Sequence, residues 1–558
     1  MKTQTENRKL VVIGLDGGSF SVIDPLIKEG KLPNIEKLIK EGVSGPLLST
    51  MPPVTGPAWV SFMTGKSPGA HGLFDFVRPA ANDYRRQIVN YNDIKSETLW
   101  SILSKNGKRL GIINVPMTYP PPKVNGFLIS GMLTPGIESE YTYPPSLAQE
   151  LEKKFGRYTL DIWWQHYGPD TIRTFLQDLM VCTDKRREVI LHFMQNRNWD
   201  FFMAVFIGTD RIQHALWNFL VPTDGQKLSK IEIEIRELII QYYKKVDDII
   251  GSIVDAIDEK ANLMIMSDHG FGPLKGKFCI NRWLEESGLL TYDPTKIKKF
   301  RLKAKIGPFL RQIVRKADPL NLRKKLTARI SKNPERMGAY SFLNCIDWSK
   351  TMAYAASNTE QGIYINLAGR EPGGIVKPGK DWDEARDVVI NRLKYIRDPQ
   401  TNEKLVSRIY KREDIYSGPY VNNAPDIIFF LKEGEYLANV QPMNYLFEKI
   451  SWKTGTGTHR MDGIFVGYGK DIKAGLHIGD AKIIDLAPTI LNLMGVRIPD
   501  DMDGNVMTQI FADEFLNDNP SQYVKRPGGV SFYQQKNGIY SDKESAELEA
   551  QLKGLGYL

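Results

Sequence analysis

Short apolar runs alternate with segments of helical periodicity along most of the chain. The run at 9–15 is rich in β-branched residues and stops at an Asp-Gly-Gly turn, which predicts a fully buried strand. Further strands are predicted at 43–49, 109–115, 127–130, 200–207, 263–266, 362–367, 426–431 and 463–467. Helical periodicity is predicted at 20–42, 100–105, 170–198, 232–257 and 483–494. This alternation indicates an α/β fold with a mainly parallel central sheet.

Aspartates follow three of the predicted strands. Asp16 comes directly after the first strand, and Asp210 and Asp268 lie just beyond the strands at 200–207 and 263–266. In open parallel sheets, ligands bind at the carboxyl ends of the strands. One edge of the sheet can therefore collect all three carboxylates.

Three of the seven histidines lie close to these segments. Asp210 and His214 are four residues apart, so a helix would place both on one face. His269 follows Asp268 at a strand end, and His459 lies in a Gly/Thr-rich segment that is interpreted as a loop. Each has an ordinary alternative, such as a turn or cap aspartate, a packed histidine or an exposed loop histidine. Their joint placement at one sheet edge favours metal binding.

Thr55 lies in the segment Pro-Pro-Val-Thr-Gly-Pro, directly before a predicted helical stretch at 58–64. A turn threonine is an ordinary feature, which is the alternative interpretation. A hydroxyl near a helix N-terminus, however, lies where backbone N–H groups favour phosphate. Together with ligands for two divalent metals, this hydroxyl indicates two-metal phosphoryl transfer.

Five motifs occur in a specific order, and the resemblance that they support extends over residues 10–275 and 350–510. They are Val11–Gly18, Pro52–Trp59, Thr64–Gly72, Ser267–Phe271 and Asp485–Thr489. With these motifs the chain resembles the alkaline phosphatase superfamily, on the branch of type I phosphodiesterases and nucleotide pyrophosphatases. Within it, the chain is most similar to predicted cytoplasmic phosphohydrolases or phosphomutases. The resemblance implies an alkaline phosphatase-like three-layer sandwich, with helices on both faces of the sheet and inserted cap segments.

The resemblance also implies a role for each candidate residue. One divalent ion would be bound by Asp210, His214 and His459, and a second by Asp16, Asp268, His269 and the Thr55 oxygen. Three carboxylates and a threonine alkoxide balance the charge of two such ions. Imidazole and carboxylate ligands suit zinc first and manganese as the alternative. Thr55 would be the nucleophile of a phosphomonoester or phosphodiester hydrolase, and a phosphothreonine would be the intermediate.

Two departures from the related pattern affect substrate specificity and exclude one activity. Where nucleotide pyrophosphatases have a phosphate-binding Asn after their His-Gly motif, this chain has Phe76, with Asp75 beside it. The Cys-x-Pro-x-Arg motif of sulfatases is absent from the sequence, and His71 is interpreted as structural. A phosphomutase of the same superfamily and a non-catalytic protein that binds anionic surfaces remain the alternatives to the hydrolase.

Charge is concentrated in one segment. Residues 296–332 contain 14 Lys or Arg and one acid, so the net charge of this segment is +13. The whole chain has a net charge of +9, so the remainder carries 9 − 13 = −4. We therefore expect no specific nucleic acid binding by the whole protein. Apolar residues recur at helical spacing within the segment, which predicts a basic amphipathic insert. It can be a packed cap, a lid or clamp for a polyanionic substrate, or a peripheral contact with an anionic membrane.

The predicted organisation has a catalytic core in two parts, 8–290 and 346–515, separated by an insert at 291–345. A tail at 516–558 ends in a helix, which the capping-box pattern Ser541 to Glu544 predicts. No apolar run is long enough to span a membrane, and the first ten residues lack a signal-peptide core. Three widely spaced cysteines fit a reducing compartment. We therefore expect a cytoplasmic protein, with peripheral membrane contact as the alternative.

Overall fold

A mostly parallel β-sheet forms the centre of the computed structural model. The structure describes residues 8–80, 83–164, 167–222, 225, 227–257, 261–302, 340–451, 455–526 and 539–557. Within these residues the central sheet has ten strands: β1 (Leu10–Leu15), β2 (Val43–Leu48), β5 (Leu110–Val115), β6 (Gly126–Ser130), β7 (Thr142–Tyr143), β8 (Phe201–Phe206), β9 (Asn262–Met266), β19 (Asp462–Tyr468), β20 (Leu476–His477) and β21 (Ala481–Lys482).

The first predicted strand lies in the interior of this sheet. The strand order is β20-β2-β19-β9-β1-β8-β5-β6-β7, and β21 also pairs with β2. The pairs around β1 are parallel, whereas β19 is antiparallel to both of its neighbours. All six residues of β1 are buried, as expected for a strand covered on both faces. Gly14 is required here, because a Cβ would lie 2.7 Å from the Trp59 ring.

Helices flank the sheet as two groups. The helices of the described residues include α1 (Phe20–Lys28), α2 (Pro33–Glu41), α3 (Thr55–Thr64), α4 (Pro68–His71), α5 (Leu99–Lys105), α6 (Ser146–Phe155), α7 (Ile172–Asn196), α8 (Gly208–Leu220), α9 (Lys230–Ala256), α10 (Ile280–Glu286), α11 (Lys380–Leu393), α12 (Arg412–Ile415), α13 (Leu486–Leu493), α14 (Asp513–Asp518) and α15 (Asp542–Gly554). One group contains α1, α2, α6, α7, α8 and α9, and the other contains α3, α4, α5 and α13. The sheet between two helical layers confirms the predicted α/β sandwich.

A second sheet lies outside this sandwich. Its seven strands are β11 (Gly276–Cys279), β12 (Ala353–Tyr354), β13 (Gly362–Ile365), β14 (Val406–Lys411), β15 (Ile427–Leu431), β16 (Tyr436–Asn439) and β17 (Phe447–Lys449). Three two-stranded pairs complete the described strands: β3 (Val77–Pro79) with β4 (Arg86–Ile88), β10 (Gly270–Pro273) with β18 (Gly457–Arg460), and β22 (Ile498–Pro499) with β23 (Tyr523–Val524). The central sheet thus takes its strands from 10–266 and 462–482, and the second sheet takes its strands from 276–449.

The helical segment predicted at 20–42 is two helices rather than one. Gly30 has a φ of 68° after α1, and Pro33 begins α2. A left-handed glycine ends a helix and proline favours the first helical position, so the two residues mark the break.

The predicted basic insert lies mostly outside the described residues. The chain is helical over 294–302, and residues 303–339 are not described. Among the described residues, no helix combines the length and apolar character that a membrane span requires.

Candidate active site

Three aspartates meet where β9, β1 and β8 end side by side. Asp16 follows β1 directly, Asp268 follows β9 after one residue, and Asp210 lies in the first turn of α8, which succeeds β8. All three side chains are fully buried. Adjacent parallel strands bring their carboxyl ends to one edge, so the topology alone juxtaposes residues that are far apart in sequence.

The loop after β1 is held by the segments around it. Gly17 has a φ of 68°, and its N–H donates to Asp268 Oδ1 at 3.2 Å. The Gln213 amide donates to the Gly17 carbonyl at 2.7 Å. A Cβ at Gly17 would lie 3.0 Å from the Phe271 ring. Only glycine therefore fits this turn without strain, and the turn fixes Asp16 beside Asp268.

His459 lies on strand β18, not in the loop that its Gly/Thr-rich surroundings suggested. β18 pairs antiparallel with β10, and Phe271 lies opposite His459 in the register. Since β10 follows His269 directly, the pairing brings His459 beside His269, with ring centroids 3.7 Å apart. Glycine at 457 permits this approach, because a Cβ there would lie 2.2 Å from the Gln213 carbonyl oxygen.

The first cluster joins Asp210, His214 and His459. Asp210 Oδ1 lies 3.3 Å from His214 Nε2 and 3.6 Å from His459 Nε2. The two Nε2 atoms lie 2.9 Å apart. The structure thus brings together three of the predicted ligands, and α8 places Asp210 and His214 one turn apart on a shared face.

The second cluster joins Asp16, Asp268, His269 and Thr55. His269 Nε2 lies 3.2 Å from Asp268 Oδ2 and 3.8 Å from Asp16 Oδ1. Thr55 Oγ1 lies 3.0 Å from the same nitrogen. Ligand atoms of Asp16, Asp268 and His269 lie within 4.8 Å of one another, as do those of Asp210, His269 and His459, so His269 lies between the clusters.

Each aspartate has one oxygen held by a protein donor and one without a donor. Asp16 Oδ2 accepts from the Trp59 indole at 3.1 Å, and Asp210 Oδ2 accepts from the Arg211 guanidinium at 2.6 Å. Asp268 Oδ1 accepts from Gly17 N–H. The remaining oxygens, Asp16 Oδ1, Asp210 Oδ1 and Asp268 Oδ2, are buried and have no hydrogen-bond partner. These are the oxygens that face the imidazoles, and a carboxylate buried in this way is either neutralised by a proton or balanced by a cation.

Two imidazoles are oriented by bonds from their other nitrogen. His269 Nδ1 lies 3.1 Å from the Gly270 carbonyl oxygen, and His459 Nδ1 lies 2.8 Å from the Pro53 carbonyl oxygen. A carbonyl can only accept, so each Nδ1 is the protonated nitrogen and donates to it. In the neutral ring, each Nε2 then carries the lone pair that a metal ion would bind, as in metal-ligating histidines.

Burial and like charge together make the site unfavourable for free anions. Burial and the charges of Asp268 and Asp210 raise the pKa of Asp16 well above its usual value. Burial and Asp210 likewise raise the pKa of Asp268. Burial also raises the pKa of Asp210, but His214, His459 and Arg211 outweigh it and hold that pKa well below its usual range. Burial lowers the pKa of His269, so its ring is neutral and able to bind a metal.

Thr55 is the first residue of α3, and only 1% of it is exposed. The helix begins three residues earlier than the predicted stretch at 58–64, because Pro57 falls in its first turn. Proline is tolerated there, since the first backbone N–H groups of a helix have no intrahelical acceptor. The hydroxyl therefore lies at a helix N-terminus and beside the second cluster.

Tyr557 is a residue of the site that the sequence did not indicate. Its hydroxyl lies 3.2 Å from Thr55 Oγ1 and 3.4 Å from the Nε2 atoms of His214 and His459. It lies in no motif and is separated from Thr55 by 502 positions. The only signal in the sequence was the segment Leu555-Gly-Tyr557, which directly follows the helix predicted by the capping box.

Of the two residues at the departure from the related pattern, Phe76 contacts this tyrosine and Asp75 is linked to it through Thr359. The Phe76 ring stacks on the Tyr557 ring with centroids 4.8 Å apart. Asp75 Oδ1 accepts from the Thr359 hydroxyl at 2.6 Å, and burial raises the pKa of Asp75 to about 6.

His71 is buried, its Nε2 lies 3.0 Å from Ser61 Oγ, and burial lowers its pKa to about 3. His71 is thus bonded within the helical layer rather than in either cluster.

Two solved structures align with the chain. Human ectonucleotide pyrophosphatase/phosphodiesterase 5 aligns with a TM-score of 0.48 and 12% identity, over 90% of this chain and 98% of that chain. The murine protein of the same name, in an inactive form in complex with AMP, aligns with a TM-score of 0.49 and 13% identity, over 90% of this chain and 100% of that chain. The comparison with curated proteins gave no match.

A match to a family model shows the family to which the chain belongs. A family model for type I phosphodiesterases / nucleotide pyrophosphatases matches residues 10–459, which include both clusters and Thr55. The matched part contains β1, β8 and β9 and all seven strands of the second sheet. The chain therefore belongs to the type I phosphodiesterase / nucleotide pyrophosphatase family, a family of metal-dependent hydrolases of phosphoric esters.

Proposed function

We propose that the protein hydrolyses a phosphoric ester with Thr55 as the nucleophile and with two divalent metal ions. The observation that carries this proposal is the arrangement of the three aspartates. Each has one oxygen bound by a fixed donor and one buried, partnerless oxygen beside an imidazole Nε2. Side chains oriented in this way are the ligands of a cation, and two clusters of them lie on either side of His269.

The residues present fit two ions. Asp210, His214 and His459 would hold one, and Asp16, Asp268, His269 and the Thr55 oxygen would hold the other. Nitrogen and carboxylate donors favour zinc, and manganese is the second choice. When bound, the ions lower the pKa of the Thr55 hydroxyl and stabilise negative charge on the leaving oxygen.

The residues of the chain then perform a two-step transfer. Thr55 Oγ1 loses its proton to water and forms a bond to phosphorus, while the bond from phosphorus to the leaving oxygen breaks. The leaving oxygen takes a proton from water. A second water attacks the phosphothreonine, the bond to Thr55 breaks, and Thr55 regains its proton. The first turn of α3, which begins at Thr55, would offer its free backbone N–H groups to the phosphoryl oxygens during transfer.

The test compares Thr55→Ala with Thr55→Ser on metal-loaded protein. The substrates are an aryl phosphomonoester and a bis-aryl phosphodiester, and phosphate and phenol release are measured. Thr55→Ala should lose at least about a thousandfold in kcat, as other covalent nucleophiles do, whereas Thr55→Ser should retain measurable turnover because it keeps a hydroxyl. Full turnover by Thr55→Ala would overturn the proposal. Isomerisation of a sugar phosphate without phosphate release would identify a phosphomutase instead.

A further inference from the structure

The C-terminal segment places a second hydroxyl beside the proposed nucleophile. Tyr557 Oη lies 3.2 Å from Thr55 Oγ1, and the tyrosine is 2% exposed. The same oxygen lies 3.4 Å from His214 Nε2 and from His459 Nε2. The phenol thus lies close to two atoms of the first cluster and one atom of the second, so it is inside the candidate site rather than at its edge.

The segment that carries Tyr557 is anchored at both ends of its helix. Ser541 caps α15, accepting from the Glu544 N–H while the Glu544 carboxylate accepts from the Ser541 N–H. At the other end, the Tyr557 N–H donates to the Leu552 carbonyl at 3.0 Å, across Gly556 with a φ of 83°. This return of the chain after a left-handed glycine is a stable helix ending. The position of Tyr557 is therefore set by the helix.

Packing holds the helix and the ring in place. Leu548 and Leu552 are buried at 1% and 0% exposure, and the Tyr557 ring stacks on Phe76. The Thr359 hydroxyl lies 3.4 Å from the Tyr557 carbonyl oxygen. Displacement of the tail would expose these apolar surfaces to water, which opposes opening. This packing indicates that the segment forms a fixed wall of the site and is not a displaceable plug.

We propose that Tyr557 is a catalytic residue, whose hydroxyl donates a hydrogen bond to a non-bridging oxygen of the phosphoryl group during its transfer to Thr55. This inference rests on the proposed function. Once Thr55 Oγ1 is bonded to phosphorus, the non-bridging oxygens lie next to Oγ1 and within reach of the phenol. Negative charge on these oxygens is stabilised by a donor that is already in position. No bond of Tyr557 itself is made or broken.

The matched test replaces only the hydroxyl. Tyr557→Phe keeps the ring stacked on Phe76, and Tyr540→Phe is the control, because the Tyr540 hydroxyl lies in the same segment but donates to the Leu133 carbonyl at 3.0 Å. Loss of one transition-state donor lowers kcat by about 10²–10³-fold, so Tyr557→Phe should lose on this order with little change in KM. Tyr540→Phe should retain wild-type kcat.

Further measurements distinguish the effect of the hydroxyl from an effect on the fold. Orthovanadate, which imitates the transferring phosphoryl group, should bind less tightly to Tyr557→Phe than to wild-type protein in calorimetry. Metal content and melting temperature should not change. Tyr557→Ala, which removes the ring as well, should regain activity with added phenol and not with toluene.

The outcomes distinguish this inference from the proposed function. If Thr55→Ala is inactive but Tyr557→Phe matches wild-type kcat and vanadate affinity, only the role of Tyr557 is wrong. Equal rescue of Tyr557→Ala by toluene would also contradict it, because the ring alone would then be sufficient. A kcat above wild type in Tyr557→Phe would make the tail an inhibitory plug and would overturn the inference. Full activity of Thr55→Ala would instead remove the proposed function on which it rests.

Discussion

At the scale of the residue, the proposed chemistry depends on three buried aspartates. Strand-end position was sufficient to select Asp16, Asp210 and Asp268 from the sequence, because a parallel sheet brings such positions together. Their orientation could not be predicted. It depends on donors such as the Trp59 indole and the Gly17 N–H, which reach the carboxylates from other segments of the chain.

Removal of one predicted ligand should lower the metal content. His459→Ala should bring the protein from about two divalent ions per chain, the number that the two clusters can hold, to about one, because the first cluster loses its Nε2 donor. His192→Ala is the control, since His192 is partly exposed on α7 and bonded to Asn196. Elemental analysis after gel filtration measures the ratio. Equal metal content in His459→Ala and wild-type protein would contradict the ligand assignment.

A buried glutamate near the site gives a prediction for stability against pH. Burial raises the pKa of Glu360 from 4.5 to about 7, although Arg86 opposes this. The folded state thus holds a proton that the unfolded state loses above pH 4.5, so this group makes the free energy of unfolding fall as pH rises from 4.5 to 7. Glu360→Gln removes this contribution.

Relative to wild type, Glu360→Gln should therefore gain stability between pH 4.5 and 7, on the order of 1–3 kcal/mol at about 1.4 kcal/mol per pKa unit. Denaturant unfolding of both proteins across this range measures the difference. The exposed Glu384→Gln is the control and should follow the wild-type curve. Parallel curves for Glu360→Gln and wild type would show that the pKa of Glu360 is not raised in the folded protein.

At the scale of the element, periodicity located most strands and helices but not their ends or connections. Apolar residues recur at helical spacing in both α1 and α2, and this periodicity alone does not locate the end of the first helix, which Gly30 and Pro33 mark. Prolines around Thr55 suggested a turn, although Pro57 is compatible with a first helical turn. The sequence predicts a loop at His459 because β18 is short and rich in Gly and Thr, and only the pairing with β10 makes this segment a strand.

The tail helix provides a prediction at this scale. Ser541→Ala removes the side chain that caps α15, and the typical loss for such a cap is about 1 kcal/mol. Amide hydrogens of residues 544–554 should therefore exchange several-fold faster, and kcat should fall modestly because Tyr557 is less well held. Ser545→Ala, within the same helix, is the control. Unchanged exchange in Ser541→Ala would mean that packing of the leucines alone fixes the helix.

At the scale of the whole molecule, the sequence predicted the α/β sandwich and its family, and the structure and the family match confirm both. The second sheet was not predicted, because its strands at 362–367 and 426–431 were interpreted as part of one core. Pairing partners cannot be read from strand patterns when long segments intervene. The domain boundaries, the cytoplasmic location and the partner of the basic segment remain predictions.

The charge of the segment 296–332 should act on binding rather than on chemistry. It carries +13, and the predicted metal ligands all lie outside it. Each Lys or Arg near an anionic surface contributes roughly 1 kcal/mol of attraction, which salt weakens. Replacement of its Lys and Arg by Gln should leave hydrolysis of a small aryl phosphate unchanged and abolish salt-sensitive binding to anionic vesicles or to a polyanionic substrate. If neither binding nor turnover of larger substrates changes, the segment is a packed cap.

The covalent intermediate tests the central claim most directly. Metal-loaded protein is mixed with a phosphoric ester, quenched in acid during turnover, and digested for mass spectrometry of the peptide that contains Thr55. The account predicts a phosphoryl group, or the phosphoryl ester of a diester substrate, on the Thr55 oxygen, and no such label in Thr55→Ala. A protein that turns over with Thr55 unlabelled, or with the label on another residue, would contradict it.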